Sequence, residues 1–198
     1  MTTRLVVLAS GTGTNLQAIL DACGDGRLPA VVAAVISNKP GSGALQCAAD
    51  AGVPFVHVAP HPGEPRPDYD ARLADIVSGF DPDWVVLAGW MRVLSMSFLG
   101  WFPGMVVNLH PALPGELPGV DAIERAWHEA QAGLRDHTGV MVHLVPDEGI
   151  DNGPVLATAT VFIHPADTLE SLADRVHRVE HRLLVETLAT LCTTGANA

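Results

Sequence analysis

The chain has 198 residues, 48% of them hydrophobic and 17% charged, the balance of a globular protein with enough chain for one sizeable core. Its formal net charge is −11, from 22 acidic and 11 basic side chains. A field of that sign repels polyanions, so nucleic acid is excluded as an expected partner, while a local nest of N–H groups can still take a small phosphate. Apolar runs such as "DWVVLAGWM" are about half the ~18 residues of a membrane helix, so no membrane partner is expected. The N-terminus runs into a glycine turn without a small-residue cleavage site, and a cytoplasmic location is expected.

In chain order, short β-branched runs alternate with helical patterns, the signature of βαβ units around a mainly parallel sheet. The first strand is predicted at 4–10 and is followed by "SGTGTN" and a helix over 15–26. A strand at 30–37 precedes a helix at 42–51; a short strand at 54–58 and the proline-rich loop 60–68 lead to a helix at 68–79. Strands at 84–89 and 105–110 flank a helix at 94–101. A helix at 120–133 is followed by strands at 139–145 and 154–163, and a long helix occupies 168–191. Asp167 and Glu170 have the spacing of a capping box for it. The tail "TTGANA" is expected to fray. No repeat or linker divides the chain, so one domain over 1–198 is expected.

Three stretches carry candidate chemistry. In "LASGTGTNLQAI" (8–19), a glycine turn between strand and helix offers backbone N–H groups to an anion. The third glycine of a dinucleotide fingerprint is missing, as is the lysine of a Walker loop. In "VVNLHPALPGELPG" (106–119), Asn108 and His110 end an apolar strand. Residues i and i+2 point to the same side, so an amide donor and a proton carrier can address one reacting group. In "HLVPDEGIDNGP" (143–154), Asp151 precedes a tight turn that can turn its carboxylate toward a histidine and raise that histidine's pKa. His57 and His143 read as ordinary strand side chains, and His61 as solvated. His177 and His181, spaced i,i+4, lack a convincing third ligand for zinc. Cys23, Cys47 and Cys192 follow no metal spacing and read as structural thiols.

These stretches, with "VISNKPGSGALQCAADAGVP" and "VVLAGWMRVLS" between them, resemble the folate-dependent phosphoribosylglycinamide formyltransferases over residues 4 to about 185. The resemblance implies an α/β formyltransferase fold, a mainly parallel twisted sheet with helices on both faces. Its Rossmann-like N-terminal half, about 1–104, would bind the phosphoribosyl group, and its C-terminal half, about 105–192, would carry the catalytic and folate sites. It implies transfer of a formyl group from 10-formyltetrahydrofolate, a co-substrate, to the amine of glycinamide ribonucleotide, with no metal.

Residue roles follow the matched motifs. Asn108, His110 and Asp151 would be catalytic, with Asp151 orienting His110 and raising its pKa. Gly13, Thr14, Asn15 and Glu180 would bind the phosphoribosyl glycinamide. Arg66, Met91, Arg92, Val93, Leu94, Asn108, Asp147, Glu148, Gly149, Ile150 and Asp151 would bind the folate. The segment after Gly119 departs from the family pattern, being longer and acidic at its start. The implied partners are small molecules, and the chain a monomer or homodimer. The alternatives are a formyltetrahydrofolate hydrolase or another formyltransferase, and a non-catalytic folate- or nucleotide-binding protein.

Overall fold

A computed structural model describes residues 2–194; the last four residues of the tail expected to fray lie outside them. One seven-stranded sheet forms the centre, in the order β3-β2-β1-β4-β5-β6-β7. The strands are β1 (Thr3–Leu8), β2 (Ala30–Ser37), β3 (Phe55–His57), β4 (Trp84–Leu87), β5 (Val106–His110), β6 (His137–Leu144) and β7 (Val155–Phe162). The first five pair in parallel, because each is joined to the next through a helical crossover. β6 runs antiparallel to β5, and β7 antiparallel to β6.

The helices are α1 (Thr14–Gly24), α2 (Gly43–Asp50), α3 (Arg66–Ser78), α4 (Met96–Leu99), α5 (Ala122–Gln131) and α6 (Leu169–Thr194). They cover both faces, and the period-2 alternation of the strands feeds a core on each. Leu5 and Val7 of β1 pack with Leu16 and Ile19 of α1 and Leu172, Val176 and Leu184 of α6. Val6 and Leu8, pointing the opposite way, pack with Tyr69 and Leu73 of α3 and Phe98 of α4. A side chain such as Leu5 or Leu73, fully buried, contributes about 1.5–3 kcal/mol through its removal from water.

The start of α6 lies one residue away from the predicted box. Thr168 and Ser171 exchange the reciprocal bonds, each backbone N–H donating to the other's hydroxyl at 3.1 Å. Asp167 instead accepts the His164 N–H at 2.7 Å and receives both terminal nitrogens of Arg175 at 2.6 and 2.8 Å. A guanidinium two turns into the helix, together with the His164 N–H, holds that carboxylate in place of the first-turn N–H groups of α6.

The strand order places the site. The connections leave β1 toward β2 on one side and reach β4 on the other, so the loops after β1 and β4 part and leave a crevice at their carboxyl ends. Asn108 continues that edge: it lies opposite Leu87 on one side and His143 on the other.

Candidate active site

The loop after β1 is held tightly. Ser10 donates its N–H to Gly89 O at 3.0 Å and its hydroxyl to Asn38 Oδ1 at 2.7 Å, while that hydroxyl accepts the Met91 N–H at 3.0 Å. Gly13 caps α1 at φ 86°, and a Cβ there would meet Ala44 Cα at 2.7 Å. Only glycine fits the left-handed conformation and the close approach of α2 together. The first turn of α1 therefore opens onto the crevice, with the unpaired N–H groups that every helix start presents.

The crevice is a cavity of ≈ 760 Å³, a size that holds a drug-sized ligand and more. Gly13, Thr14 and Asn15 line it from the β1 loop; Met91, Arg92, Val93 and Leu94 line it from the β4 loop. Asn108, His110 and His143 come from the sheet, Asp147, Gly149, Ile150 and Asp151 from the β6–β7 loop, and His177 and Glu180 from α6. Arg66 and Glu148, also expected at the folate site, do not line it. They form an ion pair with each other, and Glu148 accepts the Met96 N–H at 3.1 Å. Opposite charges on two adjoining exposed segments satisfy each other, tying the start of α3 to the β6–β7 loop.

The centre of the cavity is a four-residue cluster around Asp151. Its Oδ2 faces His110 Nδ1 at 3.3 Å and accepts the Gly119 N–H at 2.8 Å. Its Oδ1 accepts from Asn108 Nδ2 at 3.1 Å and stands 3.6 Å from His143 Nε2. Asp151 occupies the left-handed region at φ 50°, a conformation that costs a non-glycine residue about 1–2 kcal/mol. The Gly119 and Asn108 bonds hold it there. The divergent segment after Gly119 also reaches the site, with Val120, Asp121 and Glu124 on the wall. Its base is clamped by Arg135, which pairs with Glu116 at 2.6 Å and Glu129 at 2.8 Å.

His143, read from the sequence as an ordinary strand side chain, belongs to this cluster. Its Nδ1 lies 2.8 Å from Leu144 O, a group that only accepts, so Nδ1 carries a proton. Its Nε2 lies between Asn108 Nδ2, 3.1 Å away, and Asp151 Oδ1, 3.6 Å away. Asn108 Nδ2 thus donates to Asp151 and stands beside His143. The sequence signal was its place on the strand leading into the Asp151 loop; its register opposite Asn108 was not readable locally.

The expected upward pull of Asp151 on the His110 pKa is present but is not the largest influence on it. Asp151 does attract a proton toward His110, but burial of the ring is the larger effect and the imidazole's pKa is lowered. The Asp151 charge and the carbonyls of Glu116 and Leu117 oppose burial without overcoming it. His110 is only 3% exposed, and a cation there loses most of its hydration. The Asp151 carboxyl is itself buried, which would raise its pKa; contacts with His143, the Gly119 N–H and His110 outweigh that, and it is held below the usual range. At neutral pH the pair is a carboxylate beside a neutral imidazole.

At the far wall, Glu180 is buried and lies 2.6 Å from His177 Nδ1. That hydrogen bond raises the His177 pKa despite partial burial. His177, weighed from sequence only as half of a metal face, is thus tied to Glu180 on the wall, and its proton is held more firmly for it; its i,i+3 spacing from Glu180 was the available signal. Among the described residues no group of three or more His, Cys, Asp or Glu is placed to hold a metal ion, and no helix is long and apolar enough to cross a membrane.

The chain matches the formyl transferase family model over residues 3–188. It is 40% identical to a phosphoribosylglycinamide formyltransferase of Dictyostelium discoideum, over 98% of this chain and 100% of that one. It is 41% identical to a protein of that name from Schizosaccharomyces pombe, over 98% and 99%. The crystal structure of phosphoribosylglycinamide formyltransferase from Bacillus halodurans superposes with a TM-score of 0.90 at 36% identity, covering 98% of this chain and 97% of that one. A shared sheet alone would leave the chemistry open, but a family match spanning nearly every element, at this identity, does not: the chain belongs to the formyl transferase family.

Proposed function

We propose that this chain transfers the formyl group of 10-formyltetrahydrofolate to the amine of glycinamide ribonucleotide, a step of purine synthesis, as a single catalytic unit in the cytoplasm. The names borne by its relatives support the substrate. The observation that carries the reading is the meeting of Asn108, His110 and Asp151 from two separate segments, in one cavity with the glycine loop that opens α1.

In this reading Gly13, Thr14 and Asn15 take the phosphate on the N–H groups of the first turn of α1. Glu180 holds the glycinamide end. Met91, Arg92, Val93 and Leu94 receive the folate with Asp147, Gly149 and Ile150, and the Arg66–Glu148 pair braces the edge of that wall. The amine nitrogen attacks the formyl carbon, and a C–N bond forms as the carbonyl oxygen becomes an oxyanion. Asn108 turns one amide hydrogen from Asp151 or His143 to that oxygen, an interaction worth about 3–4 kcal/mol. The neutral His110 beside the ionised Asp151 takes the proton released by the amine. It delivers that proton to the folate nitrogen as the old C–N bond breaks, regenerating the starting pair.

The test is a spectrophotometric assay with 10-formyltetrahydrofolate, with and without glycinamide ribonucleotide. Release of tetrahydrofolate only when both are present is the expected result. Release without the amine identifies a hydrolase, and no release in either case refutes catalysis.

A further inference from the structure

Asp70, on α3, lies outside the cavity wall and is fully buried. A buried carboxylate is costly unless something is gained by its presence, and an apolar side chain would pack there without that cost. What it holds is informative: Oδ2 accepts the backbone N–H of Ser95 at 2.7 Å. Ser95 directly follows the cavity-lining residues 91–94 and caps α4.

The neighbouring Tyr69 grips the same segment nearer its start. Its hydroxyl is anchored to Val58 O at 2.8 Å, and the Arg92 guanidinium lies over its ring, 4.6 Å from the centroid. The Ser10 hydroxyl accepts the Met91 N–H. Residues 91–95 are therefore held at three points, two of them consecutive residues of one helix. Two buried donors in and beside the segment, Trp90 Nε1 and Arg92 Nε, have no hydrogen-bond partner in the protein. Such groups destabilise the conformation they occupy, so the segment needs an anchor to stay in it.

We propose that Asp70 is a positioning residue for the formyl donor: through the Ser95 N–H it fixes residues 91–94 in the shape that receives the folate, without touching it. The proposal deepens the donor-site reading and rests on it.

The test compares Asp70→Ala with Asp70→Asn, whose amide oxygen can still accept the Ser95 N–H. Asp70→Ala raises the KM for 10-formyltetrahydrofolate roughly tenfold or more, the scale of misplacing a binding segment. Its kcat at saturating donor and its KM for glycinamide ribonucleotide stay within about twofold of wild type. Asp70→Asn recovers most of the donor affinity. In hydrogen exchange, the peptide spanning residues 90–96 exchanges faster in Asp70→Ala, while that spanning 12–20 is unchanged. An unaltered donor KM in folded Asp70→Ala, a parallel loss of both KM values and kcat, or exchange rising equally in both peptides overturns the proposal. Should Asp70→Ala not fold, Ser95→Pro removes the same N–H at a φ of −89° and is held to the same outcomes. A wild-type protein that does not use the folate donor refutes the donor-site reading instead, and the exchange comparison still decides whether Asp70 anchors the segment.

Discussion

Replacing Asp151 by asparagine keeps the shape of the side chain and removes its charge. The carboxylate stands 3.3 Å from His110 Nδ1 and is 11% exposed. At an effective dielectric of ~20, its gross attraction for a proton on that ring is about 5 kcal/mol. The asparagine carbonyl dipole can still accept from a proton on His110 Nδ1 and so recovers part of this. The remaining ~3–4 kcal/mol corresponds to a fall in kcat of about 10²–10³-fold. The assay is tetrahydrofolate release at saturating substrates across pH 5–9, with thermal unfolding as the control for folding.

The pH profile adds a sign. In the wild type His110 works as the neutral base, and its pKa is lowered by burial. Turnover is therefore full above the ordinary histidine range and lost as pH falls through the depressed value. In Asp151→Asn the attraction opposing burial is gone, so the acid limb moves lower still while the plateau drops. A folded Asp151→Asn with near-normal kcat, or an acid limb that moves upward, refutes the assignment of the pair.

Other consequences follow from the same geometry. Gly13→Ala must place a Cβ 2.7 Å from Ala44 Cα at a positive φ. The left-handed penalty alone is about 1–2 kcal/mol, which lowers the Tm by roughly 2–8 °C in a chain of this size; a Tm equal to wild type would contradict the packing described. Glu180→Gln removes the charged partner that raises the His177 pKa, so an NMR titration should find that imidazole titrating lower than in the wild type, and an unchanged midpoint would contradict the pairing. Asp167→Ala removes the carboxylate that Arg175 holds well below the usual range. Its pKa is lowered on folding, so the stabilisation is present above ~3.9 and fades as pH falls. The cost at pH 7 should be about 1–3 kcal/mol and should shrink in acid; chemical denaturation at pH 7 and pH 3 checks both.

Much was legible in the chain itself, because the governing forces are local. Every predicted strand and helix is present, with ends displaced by a few residues. β-branched alternation, helical spacing and glycine at the first turn are properties of neighbours in sequence. Asn108 and His110 could be placed on one side of one strand for the same reason. That Asp151 would reach them was an inference from a resemblance, since 40 residues and two elements intervene.

What the tertiary structure decided concerns groups distant in sequence. It put His143 opposite Asn108 through strand register and turned Arg66 and Glu148 toward each other. It also set the net pKa shift of His110, in which burial outweighs the expected pull of Asp151. Sequence names the charges near an imidazole but not how much water remains around it, and for a ring this deeply enclosed the lost hydration outweighs the neighbouring carboxylate.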